Sequence, residues 1–357
     1  MKLWMIAPIS VAAVVTLVLL MTFPIQLDKS TVTASNEDNN SGPLVPLEKI
    51  VSGGPPKDGI PSIDKPKFVS VEEATFMQDG DIVIGLQHNG ITKAYPLKIL
   101  VWHEIVNDEI GGLPVAVTYC PLCFTNMVFE RTIDGNVVEF GTSGKLYNSN
   151  LVMYDRLSDS LWSQAMAKGI AGKYSGDELK RVPFDLVYWK EWKQLYPNAL
   201  VLSTDTGSTR PYGVDPYGDY YTTPEIYFPV EHRDDRLGPK ELVMGLEDNN
   251  NYKAYKLNDI ENKKVINDSV GEKKVLLVSL YPFMTRSYDR TLDGNVLEFQ
   301  LNNNKLIDKQ TGSEWNFEGQ AISGSLQGKQ LTRLALDPGF WFSWAAFHPD
   351  TELYKTN

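Results

Sequence analysis

A chain of 357 residues, 42% hydrophobic and 11% aromatic, can bury more core than one average domain. A formal charge of −11, with no basic cluster, argues against nucleic acid as a partner. Two cysteines are too few for a disulfide-stapled scaffold.

The stretch Leu3–Ile25 carries no charged residue. As a helix rising ~1.5 Å per residue it would cross a ~30 Å hydrocarbon core. Lys2 before it, with Asp28 and Lys29 after it, points its N-terminus inward and the rest of the chain outward. Residues 1–27 are therefore expected to be a membrane anchor. A cleaved signal peptide ending near Val32-Thr33-Ala34 is the competing reading. Both place the body on the extracytoplasmic side. Residues 28–66 are polar and rich in Pro, Gly, Ser and Asn, which reads as a linker running into an extended arm.

Beyond the arm lies an internal repeat. VIGLQHNGITKAYPL (83–97) shares eight of fifteen residues with VMGLEDNNNYKAYKL (243–257), and RTIDGNVVEF (131–140) shares eight of ten with RTLDGNVLEF (290–299). Trp162, Trp189 and Trp192 answer Trp315, Trp341 and Trp344. Short β-branched and aromatic runs bounded by Gly, Asn and Asp read as strands in both copies. Asp185–Tyr196, with aromatics at three- and four-residue spacing, reads as a closing helix. The predicted class is α+β, predominantly β. Two tandem, diverged copies of one strand-rich unit, 67–203 and 240–357, would each carry a short helix and follow an N-terminal transmembrane helix. The Tyr/Pro/Gly-rich segment 204–239 connects them, and its run RPYGVDPYGDYY (210–221) reads as an ordered linker rather than a ligand-facing loop.

The copies differ where chemistry is concerned. At an offset of 160, His103 becomes Lys263, Cys120 becomes Leu280 and His88 becomes Asp248, while Cys123 meets Pro282 or Phe283. Any site therefore belongs to the first copy. With Gly111-Gly112 as a two-residue hairpin turn, the register that opposes Ile110 to Leu113 also opposes His103 to Cys120. The CxxC turn brings Cys123 back to the same place. Two thiolates and an imidazole suit Cu(I) or zinc, so His103, Cys120 and Cys123 are the candidate metal ligands, with copper favoured and zinc the alternative. The body would then act in metal handling or redox chemistry with an envelope redox or metal-delivery partner. Two other readings stay open: a thiol–disulfide oxidoreductase, and a non-catalytic binding module with a structural CxxC. Alternating residues after CPLC, where a thioredoxin-like fold needs a long helix, argue against that fold. Tyr147, Asn148, Asn150, Asp155, Arg156, Ser163 and Gln164 form a second polar constellation, suited either to orienting His103 or a substrate or simply to turns. Trp102, Glu104, Asn107, Asp108 and Tyr119 join Tyr147, Asn148, Asn150 and Gln164 as the residues expected to surround and orient the ligands.

Taken together, GGPPKDGIPSI, WHEIVND, TYCPLC, SGKLYNSNLVMYDR, SLWSQ and DPYGDY closely resemble a widespread prokaryotic family known as domain of unknown function 3179. The resemblance runs from about Gly53 to Pro349. It implies that Trp102, His103, Glu104, Asn107, Asp108, Tyr119, Cys120, Cys123, Tyr147, Asn148 and Trp162 belong to the family signature. It implies no activity. Phe124 departs from the pattern, standing where a small residue such as Gly or Asn is commoner.

Overall fold

A computed structural model describes residues 42–356, which lie within one compact unit, Asn39–Asn357. Each repeat opens with a hairpin, Ile82–His88/Ile91–Pro96 in the first and Leu242–Asp248/Asn251–Lys256 in the second. A short helix follows, Leu97–Leu100 or Leu257–Lys263. Then comes a three-strand meander, Ile105–Ile110, Leu113–Cys120 and Thr125–Glu130, matched by Val265–Val270, Lys273–Tyr281 and Met284–Asp289. After a two-residue-strand hairpin comes a second meander, from Phe140–Tyr147 to Lys168–Ala171 and from Phe299–Asn302 to Ala321–Ser323. Finally Asp185–Tyr188 and Asp337–Phe340 return antiparallel to the first strand of their own repeat. The arm joins the first repeat: Val51–Ser52 pairs with Phe140–Tyr147, and Ile63 bridges Val106.

The turns show why these residues fold this way. Gly111 and Gly112 have φ of 54° and 88°, the doubly left-handed turn that matches strand twist and that glycine enters without steric cost. Each closing helix lays an indole over a glycine. A Cβ on Gly85 would sit 2.2 Å from the Trp192 ring, and one on Gly245 would sit 2.0 Å from the Trp344 ring.

Two expectations about class are corrected. The body is predominantly β with few helices, but each repeat holds two short ones, and Asp185–Tyr188 is a strand; only Trp189–Leu195 is helical. Trp189 and Trp192, which set the helical spacing, do lie on that helix; the four residues before them pair with Ile82–Gly85 instead. The transmembrane part of the class is not found: among the described residues no helix is long and apolar enough to cross a membrane. Leu3–Ile25, on which that expectation rested, lies outside the described residues.

The repeats clasp each other reciprocally. Asp185–Tyr188 of the first packs on Met284–Asp289 of the second, and Asp337–Phe340 of the second packs on Thr125–Glu130 of the first. Tyr188 meets Phe283 at 5.4 Å between ring centres, and Phe340 meets Phe124 at 5.5 Å, with Phe124 and Phe283 touching at 6.2 Å. In one clasp the Asp185 carboxylate receives Arg286 at 2.8 and 2.6 Å and Arg333 at 2.6 Å. Burial pushes the Asp185 carboxyl up, yet Arg333 and Arg286 together hold it below the ordinary range.

Candidate dithiol site

The site begins where the strand Leu113–Cys120 ends. Pro121 and Leu122 form a tight turn in which Cys123 N–H donates to Cys120 O at 3.2 Å, and Cys120 pairs with Thr125 across it. The turn closes with Phe124 at φ 52°, a left-handed conformation uncommon for a bulky side chain. Glycine or asparagine would enter that conformation at less cost. Here the conformation is held by packing, since Phe124 sits among Tyr119, Phe283 and Phe340.

Both thiols are free and buried, Cys120 at 1% exposure and Cys123 at 0%. The Cys123 thiol donates to Ser149 O at 3.1 Å. Ser149 presents that carbonyl from the turn Asn148-Ser149, whose residues have φ of 48° and 63°. Burial, then a hydrogen bond with Cys123, drives the Cys120 thiol well above the usual thiol range.

The register anticipated from Gly111-Gly112 is present, with Ile110 opposite Leu113 and Ile105 opposite Thr118. It does not extend to His103. Glu104 takes φ 58°, its carbonyl accepts from Tyr119 N–H at 2.8 Å, and the chain turns out of the strand there. The His103 ring is held elsewhere: Nδ1 donates to Pro61 O at 2.6 Å, and Nε2 lies 2.7 Å from Tyr212 OH. Burial lowers the His103 pKa, with Arg210 adding to it and the Pro61 bond opposing. Among the described residues no three His, Cys, Asp or Glu side chains are grouped so as to hold a metal ion, and the expected His103–Cys120–Cys123 cluster does not form.

Glu104 is the acidic neighbour of Cys120 instead, and its ionised form raises the Cys120 pKa. Its side chain has no hydrogen-bond partner among the described residues, and burial lifts its carboxyl to about 8. It borders a cavity of about 70 Å³ shared with Leu122, Thr142, Leu151 and Tyr217. A neutral carboxylic acid thus stands beside a neutral dithiol near physiological pH.

The remaining predicted residues divide in two. Asn107 exchanges two hydrogen bonds with the Phe140 backbone, at 2.8 and 2.9 Å, and Asn267 does the same with Phe299. Asp108 accepts from Lys93 and Tyr95, both at 2.7 Å, as Asp268 accepts from Lys253 and Tyr255. Trp162 donates to Asp155 at 2.9 Å, as Trp315 donates to Asp308 at 3.0 Å. These belong to the shared frame. The others are particular to the first repeat. Gln164 donates to Thr118 Oγ1 at 2.8 Å and to Thr125 O at 3.2 Å, and accepts from Asn150 at 3.2 Å, which ties the back of the CxxC hairpin to the second meander. Tyr147 donates to Glu231 at 2.8 Å, and Asn148 accepts from Glu231 N–H at 2.8 Å, so both serve the connector rather than the thiols. Trp102 donates to Val214 O at 3.2 Å, another tether to the connector.

Sequence reasoning passed over the connector tyrosines. Tyr220, fully buried, donates to Leu122 O at 2.8 Å, inside the CxxC itself. Tyr217 and Tyr221 flank it, and burial raises the pKa of all three hydroxyls. Tyr119, Phe124, Tyr212, Asp215 and Tyr221 line an adjoining cleft of about 480 Å³. The signal was the density of tyrosine between Tyr212 and Tyr221, unusual for a segment that only links. The second repeat completes the cover: Phe340 N–H donates to Cys123 O at 2.8 Å.

The family model described as protein of unknown function DUF3179 matches residues 57–351, and the chain belongs to that family. No curated protein and no solved structure matches it.

Proposed function

We propose that this DUF3179 member uses Cys120 and Cys123 as a two-electron thiol–disulfide couple, with Glu104 relaying the proton. The observation that carries the reading is the pairing of two free thiols in mutual contact with an unpartnered, buried carboxyl. Ionised Glu104 takes the Cys120 proton, and the thiolate attacks a partner disulfide R–S–S–R′. A Cys120–S–S–R bond forms and R′–S⁻ leaves, accepting the proton. Cys123 then attacks Cys120 Sγ, forming the internal disulfide and expelling R–S⁻, which leaves as R–SH with the Cys123 proton. The partner is reduced by two electrons and the dithiol is oxidised by two. Such exchange requires the thiolate, and Glu104, whose carboxyl burial lifts to about 8, becomes available as a base beside Cys120 as pH rises through that range. Copper or zinc held by the two thiolates is the competing reading, favoured by the softness of the donors alone.

The test is a titration of the full-length chain in glutathione buffers, counting alkylatable thiols. Both thiols should disappear together in one two-electron step. Cys123→Ser should accumulate a glutathione adduct on Cys120. Glu104→Gln should slow the exchange and flatten its pH dependence. Thiols inert in the native protein at every pH would leave a structural CxxC. Stoichiometric metal retained after reduced purification, and lost in Cys120→Ser, would replace the redox reading with the metal one.

A further inference from the structure

The two clasps between the repeats are built from equivalent positions, and one of them lacks a cation. Asp185 pairs with Gly85 as Asp337 pairs with Gly245. Arg181 bridges Phe129 as Arg333 pairs with Tyr288. Met127 opposes Thr118 as Arg286 opposes Val278. Tyr196 and His348 each end the closing helix of their repeat. In the first clasp, Asp185 is matched by two guanidiniums, and Arg286 also reaches Tyr196 OH at 3.0 Å. In the second, Arg286 has become Met127 and Tyr196 has become His348. Asp337 keeps only Arg181, at 3.6 Å, and that guanidinium is shared with Glu247 at 2.8 Å. Lys168 also acts on Glu247, but Asp337, which burial pushes up, has no cation of its own.

The place left by the missing guanidinium is a cavity of about 20 Å³ lined by Thr125, Met127, Asp337, Ser343, Trp344 and His348. That is room for one water-sized occupant, which needs roughly 10–15 Å³. His348 is 7% exposed, stacked at 4.0 Å on Tyr252 and 4.1 Å from Trp344, and its Nδ1 has no hydrogen-bond partner. Burial pulls the ring down to about 3, so it is neutral and offers a lone pair. The residues around the cavity thus bring a carboxylate, an imidazole, two hydroxyl side chains and an indole to one place, a set that accepts hydrogen bonds and favours positive charge.

We infer that this cavity binds a water-sized monovalent cation that donates hydrogen bonds, namely ammonium, in the place where the other clasp uses the Arg286 side chain. A divalent ion would overshoot the single uncompensated charge. Potassium has the right size, but hard ions take oxygen ligands and leave the imidazole nitrogen unused. The inference is independent of any thiol chemistry.

The test is thermal unfolding of the full-length chain in chloride salts of ammonium, potassium, sodium and tetramethylammonium at matched ionic strength. Ammonium should raise the midpoint saturably; at ten times its Kd the folding constant rises about elevenfold. Tetramethylammonium should do nothing specific. Met127→Arg supplies the missing guanidinium covalently and should abolish the ammonium response. Should that variant fail to fold, Asp337→Asn reads the same property and should also lose the response. Equal responses to all the small cations, or an ammonium response that persists in Asp337→Asn, would overturn the assignment.

Discussion

Replacing Glu104 by glutamine removes one ionisation from a buried place and leaves the shape almost unchanged. In the unfolded chain this carboxyl titrates near its ordinary 4.5, whereas burial in the native protein lifts it to about 8. Between those values the native state still holds a proton that the unfolded chain has released. Stability therefore falls as pH rises across that window, by about 1.4 kcal/mol per unit, and levels off above it. By neutrality the accumulated cost is about 3 kcal/mol. Glu104→Gln has no proton to lose, so it should match the wild type in acid and exceed it by about that amount at neutral pH. The assay is urea unfolding of both proteins across the range, read as a difference. His348, held down to about 3, and Asp337, raised by burial, also titrate, but they are common to both proteins and cancel. A constant offset between the two curves would show that Glu104 is ionised in the native state and would remove the proton relay with it.

Four further outcomes are expected. Gly85→Ala and Gly245→Ala should each lower the melting temperature, by an overpacking cost of about 1–3 kcal/mol, because Trp192 and Trp344 have nowhere to retreat; a silent substitution at either would contradict the packing. Asp185→Ala strands the buried Arg286 and should cost about 3–5 kcal/mol in urea unfolding, where a loss below about 1 kcal/mol would mean that the pair is wetter than described. Tyr220→Phe releases Leu122 O and, at about 1 kcal/mol for the bond, should speed maleimide labelling of the thiols about fivefold; unchanged labelling would show that the connector does not control access. His103→Ala should loosen the connector to limited proteolysis near Tyr212 while leaving the thiol potential unchanged, and a shifted potential would return His103 to the site.

What could be read from the sequence follows physical distance along the chain. Gly111-Gly112 revealed a true register because glycine enters two successive left-handed positions without steric cost. The same reasoning overran at Glu104, whose left-handed backbone has no signature in its residue type; the equivalent Lys264 shares the conformation and is equally silent. Helical spacing in Asp185–Tyr196 was ambiguous because a short apolar run fits either period, and only pairing with Ile82–Gly85 decides its first half. Comparing the repeats pointed to the first, which alone carries the two cysteines. It could not show that Tyr220 and Phe340 close over the CxxC, since those contacts span the connector and the whole second repeat.

The hydrogen bond from Phe340 to Cys123 O sets an order of events during biosynthesis. The thiols leave the ribosome about 200 residues before the strand that covers them, a delay of about 10–40 s at about 5–20 residues per second. Through that interval the CxxC is a nascent, solvent-accessible dithiol, open to whatever oxidant or metal the compartment supplies. Once Asp337–Phe340 docks, any exchange at the dithiol must pass the cover that Phe340 and Tyr220 form over it.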